Sequence, residues 1–101
     1  SGLLLDDILY GIDLLYFIVI DKNGYLVITP QISQIGVSDS SIVDNVLIDI
    51  SLKIEDFIEN LSCVPEILDE ELISQISKLV RREFKSTFSK RPIVKVHINR
   101  V

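Results

Sequence analysis

Few residues of this chain could do chemistry. It has one histidine, His97, and one cysteine, Cys63. A nucleophile-and-base mechanism would have to use His97 as its base, and no carboxylate is placed to orient that imidazole. Zinc ligation needs several histidine, cysteine or carboxylate donors at a ligand spacing, and neither His97 nor Cys63 belongs to such a set. Asp21-Lys22-Asn23-Gly24 begins like a calcium loop but lacks the later ligands and the distal glutamate, so it reads as a turn. The expectation is a segment with no catalytic residue, no metal site and no cofactor of its own.

The remaining candidates are residues that make contacts. Lys78, Arg81, Arg82 and Lys85 recur at helical spacing, and Lys90 and Arg91 extend the run. Such a stripe can neutralise several phosphates of an RNA. It contains no interleaved aromatic for base stacking, and the chain has neither a GXXG clamp nor the aromatic strand signature of the common RNA modules. A solvated face balanced by nearby acids is the competing explanation. Residues 1–77 hold fourteen acids and two bases, and residues 78–101 hold eight bases and one acid. That asymmetry implies an acidic counterpart for the C-terminal portion: another part of the fold, a neighbouring subunit or a phosphate backbone.

These residues must be positioned by a small number of elements. Asp13 to Asp21 brackets a run that is apolar on both faces, the pattern of a strand covered on both sides. Asn23-Gly24 predicts a two-residue type I′ turn, returning the chain through a second strand, Tyr25–Thr29, that ends at Pro30. Residues 31–38 read as irregular. Ser40 or Ser41, with Asp44 as capping-box partner, starts a helix to about Leu61. Its core face carries Ile42, Val46, Ile50, Ile54, Phe57 and Leu61, joined by Val43, Leu47 and Ile58. Ile48 and Leu52 fall on the opposite, acidic face. Pro65 and Glu66 connect to a second helix capped by Asp69, with Leu72, Ile73, Ile76, Leu79, Val80, Phe84 and Phe88 as its apolar stripe. Beyond Lys90-Arg91-Pro92, Val94, Val96 and Ile98 alternate with Lys95, His97 and Asn99 in a half-buried strand. The order β-β-α-α-β predicts an α+β two-layer sandwich, a three-stranded sheet with two helices on one face.

Composition limits the class further. The chain has 101 residues, of which 48% are hydrophobic, and a net charge of −5. One domain of this size buries roughly 60–65% of its unfolded surface, and the apolar content exceeds what one small core absorbs. The longest apolar stretch, Leu14 to Ile20, is far below the ~18–20 residues of a bilayer span, so no membrane partner is expected. Without a secretory signal or a second cysteine, a reducing, cytoplasmic setting fits. Ser1-Gly2 reads as a cloning scar and residues 3–12 as a linker remnant, leaving 13–101 as the domain.

An apolar strand, then Asp21-Lys22-Asn23-Gly24-Tyr25-Leu26, Pro30, Gly36, two helices and the closing Lys90-Arg91-Pro92-Ile93-Val94-Lys95-Val96-His97-Ile98-Asn99-Arg100-Val101 resembles the C-terminal domain of ribonuclease J. The close is similar to the alpha-proteobacterial type, in which a basic-basic-proline turn leads into the last strand. The resemblance covers residues 13–101. It implies a parent enzyme with a metallo-β-lactamase/β-CASP core and two zinc ions, degrading RNA as a 5′-to-3′ exonuclease and an endonuclease. The zinc motif of that core matches no position here, so no catalytic residue carries over. Many relatives have Ser-Arg-Gly-Phe after the second strand, where this chain has Gln34-Ile35-Gly36-Val37.

Two functions compete on these grounds. As an oligomerisation domain supporting that catalytic core, the chain would associate as a dimer through Leu15, Phe17, Val19, Ile48 and Leu52. As an RNA-guiding module, it would hold substrate along Lys78, Arg81, Arg82, Lys85, Lys90 and Arg91.

Overall fold

The computed structural model describes residues 13–35, 41–88 and 92–101. The lead-in before Asp13, Gly36, the Ser40 cap and the Lys90-Arg91 turn lie outside the described residues. The elements are β1 (Asp13–Ile20), β2 (Gln31–Ile35), α1 (Ser41–Glu59), a 3₁₀ turn (Val64–Glu66), α2 (Asp69–Phe88) and β3 (Ile93–Arg100). This is the expected α+β sandwich, with three strands backed by two helices.

The sheet order is β2-β1-β3, with β1 antiparallel to β2 and parallel to β3. The strand that is apolar from Leu14 to Ile20 takes the centre, where both neighbours protect its backbone; β2, with its glutamines and serine, takes an edge. Leu14, Tyr16, Ile18 and Ile20 of β1 and Val94 and Val96 of β3 point into the core. They meet Val43, Leu47, Ile50, Ile54 and Ile58 of α1 and Leu72, Ile76, Val80 and Phe84 of α2. Spacings of three and four place each helical set on one stripe, as the 3.6-residue period requires. A buried Tyr16 hydroxyl donates to the Leu47 carbonyl at 3.4 Å, and Ser51 Oγ donates to the same oxygen at 3.1 Å. Burial raises the Tyr16 phenol well above its usual range, with the Ser51 hydrogen bond opposing.

The first turn and the second strand differ from the sequence reading. Gly24 has φ +89°, but Asn23 does not adopt positive φ, so the turn is not type I′. Asp21 Oδ1 instead accepts from the backbone N–H groups of Asn23 (2.9 Å) and Tyr25 (3.0 Å), while Gly24 N–H donates to Asp21 O at 3.1 Å. The aspartate side chain thereby builds a three-residue loop, Lys22-Asn23-Gly24, with the glycine in the left-handed region.

After it, residues 25–29 make only an isolated bridge, Leu26 to Ile20, before bending at Val27 and Ile28. Regular pairing starts with Gln31 opposite Phe17. Three steps along β1 thus correspond to five along the return, a bulge that puts the ladder beyond Pro30, which has no N–H to give it. The second strand is therefore Gln31–Ile35, not Tyr25–Thr29.

Candidate interaction surfaces

The helices cover one face of the sheet, and the other face presents the odd-numbered residues of β1. Leu15 and Val19 are half-buried and Phe17 is 38% exposed. The double-sided cover expected of β1 is absent among the described residues. In register beside these three stand Ser33 and Gln31 of β2 and, on β3, Lys95 opposite Leu15, His97 opposite Phe17 and Asn99 opposite Val19. His97 packs against the Phe17 ring edge-on, with centroids 6.0 Å apart and planes at 68°. The result is an apolar ridge along the central strand between polar margins. Exposed Ile93 lengthens it on β3; it shares the parity of Lys95 and His97, a signal the sequence already carries.

Ile48 and Leu52 are exposed on α1, at 57% and 54%. They lie in the helical layer, so the structure does not join them to Leu15, Phe17 and Val19 as one patch. Ile48 instead flanks a shallow groove with Ile32, Asp44 and Leu47 beside the β2 edge. Around the aliphatic pair α1 carries Asp44, Asp49, Glu55, Asp56 and Glu59, with Lys53 as its single base.

Lys78, Arg81, Arg82 and Lys85 are all exposed on α2, within one arc of the helix. Arg82 stands 3.9 Å from Glu83, and Lys53 of α1 reaches the same carboxylate at 2.6 Å. Lys78, Arg81 and Lys85 have no ion pair with any described residue. Lys90 and Arg91 lie outside the described residues.

Cys63 is exposed and occupies the left-handed region at φ 60°, just before the 3₁₀ turn. With Gly24, Tyr25, Ile58 and Pro65 it lines a groove of about 300 Å³. Among the described residues, no three histidine, cysteine or acidic side chains are grouped to hold a metal ion. No described helix is long and apolar enough to cross a membrane. One cation is used structurally and was missed in the sequence. Arg100 reaches from the end of β3 to Asp69, to the Val64 carbonyl of the 3₁₀ turn and to the Ile67 carbonyl just after it. In the sequence Asp69 carries only a helix-cap signal, and nothing local connects residues so far apart in the chain.

No protein-family model matches the chain. No curated protein matches it either.

Proposed function

We propose that this chain is a non-catalytic assembly domain that associates with a second copy through the open face of its sheet. The supporting observation is Phe17. A large aromatic on the central strand of a small sheet keeps over a third of its surface in water, between half-buried Leu15 and Val19. Covering the rest of Phe17 removes roughly 80 Å² of apolar surface, about 2 kcal/mol per ring. A two-fold axis through the ridge sets each ring against its counterpart, and the polar margins become the rim of the interface. The resemblance to the ribonuclease J C-terminal domain also implies an assembly role, without indicating a surface. On it, the parent chain carries a zinc-dependent RNA-degrading core in a cytoplasmic enzyme, and this domain supports that core by pairing subunits.

Amide and methyl chemical shifts followed through a micromolar dilution series test the surface directly. Concentration-dependent shifts concentrated at Leu15, Phe17, Val19 and Ile93 are expected. Shifts confined to the helical layer, or none, refute the sheet-face contact.

A further inference from the structure

The solvent faces of the two helices carry opposite charges at matching intervals. On α1, exposed Asp49 and Asp56 stand seven residues apart with exposed Leu52 between them. On α2, exposed Lys78 and Lys85 stand seven residues apart with exposed Arg81 between them. Each set steps by three and then four residues, spanning about 10 Å along its helix. Neither Asp49 nor any of the three cations has an ion pair with a described residue. The two faces cannot meet within one molecule, because both point outward from the same layer and the Lys53–Glu83 pair bridges the groove between the helices.

We infer that α2 of one copy docks alongside α1 of another, parallel to it. Asp49 faces Lys78, Asp56 faces Lys85, and Leu52 packs on the methylene stem of Arg81. The occupant is a second copy, and in that respect the inference rests on the assembly reading, but the surface is separate from the sheet face. Because the two patches differ, the contact is head-to-tail and leaves one free α1 face and one free α2 face at its ends. Two observations favour this partner over a nucleic acid. No aromatic is exposed on the stripe, since Phe84 and Phe88 are buried. The adjacent α1 face, with five acids to one base, repels a polyanion and attracts the stripe.

The test uses two surface variants of the full chain, Asp49→Lys/Asp56→Lys and Lys78→Glu/Lys85→Glu. Sedimentation velocity is run at about 50 mM salt, where screening is weak. Each variant alone should associate roughly tenfold more weakly than the wild type. An equimolar mixture should regain association, because the unchanged α1 face of one variant meets the unchanged α2 face of the other and the two reversed faces also match, and roughly 500 mM salt should abolish the gain. A mixture that sediments as the average of its components overturns the inference. So does a labelled oligouridylate whose binding is lost in Lys78→Glu/Lys85→Glu while the sedimentation of variants and mixture matches wild type; the stripe then serves RNA. Should the sheet face not associate, both variants alone become monomers while the gain on mixing survives, so failures of the two readings are distinguishable.

Discussion

Arg100 Nε donates to Asp69 Oδ1 across 2.6 Å, and this pair fastens the last strand to the first turn of α2. The same guanidinium donates through Nη1 to Val64 O at 3.2 Å and through Nη2 to Ile67 O at 2.6 Å. One side chain thereby holds the 3₁₀ turn, the helix start and the sheet in one arrangement.

Arg100→Ala should destabilise the fold by about 2–3 kcal/mol. The carbonyl bonds are partly buried, and the half-exposed carboxylate contributes the smaller share. Arg100→Lys should recover less than half, because a single ammonium nitrogen cannot span acceptors that the guanidinium meets with three separate nitrogens. Urea unfolding midpoints check both. A Lys variant as stable as wild type would reduce the contact to simple charge.

Gly24 and Cys63 should respond oppositely to loss or gain of a β-carbon. At Gly24 an added Cβ would stand 2.8 Å from Pro65 Cδ and 2.9 Å from Val64 Cβ, on a backbone already at φ +89°. Gly24→Ala should therefore cost about 2–3 kcal/mol and lower the thermal midpoint by roughly 10–15 °C. Cys63 carries its Cβ at φ 60°. Cys63→Gly relieves that strain and should gain about 0.5–1 kcal/mol by the same thermal measurement. Equal losses at both sites would contradict the backbone assignment.

Tyr16 should make stability fall in alkali. Burial raises its folded-state ionisation above the unfolded value, so its contribution is complete below pH ~10. Above that pH the unfolded chain ionises first, and stability drops by up to about 1.4 kcal/mol per pH unit until the folded phenol also titrates. Tyr16→Phe should cost under about 1 kcal/mol at neutral pH, given a 3.4 Å hydrogen bond. It should also flatten the decline between about pH 10 and pH 11.5. Unfolding curves across that range decide it; parallel declines in both proteins would show that another group is responsible.

The helices and the last strand were legible because their patterns are one-sided. Val94 and Val96 are buried while Lys95 and His97 are exposed, as their alternation requires. In β1 the same reasoning cannot work. Leu14, Tyr16, Ile18 and Ile20 are no more apolar than Leu15, Phe17 and Val19, and only the packing of α1 and α2 decides which set faces the core. The position of β2 was hidden for a different reason. The Asp21 carboxylate shapes the loop, the chain bends at Val27 and Ile28, and pairing resumes past Pro30, none of which hydrophobic alternation reports. Of the candidate contacts, the exposure of Ile48 and Leu52 followed from helical phase, whereas their separation from the sheet ridge required the layers.

The most direct measurement is light scattering of the wild type and Phe17→Asp across a micromolar concentration series. Phe17 is on the open face and outside the core, so the substitution should leave the thermal midpoint within a few degrees. At roughly 500 mM salt, which screens the charged contact between helices, the wild type should shift from monomer towards dimer as concentration rises, and the variant should remain at the smaller mass throughout. A wild type that stays monomeric, or a dimer that tolerates aspartate at this position, would contradict the account.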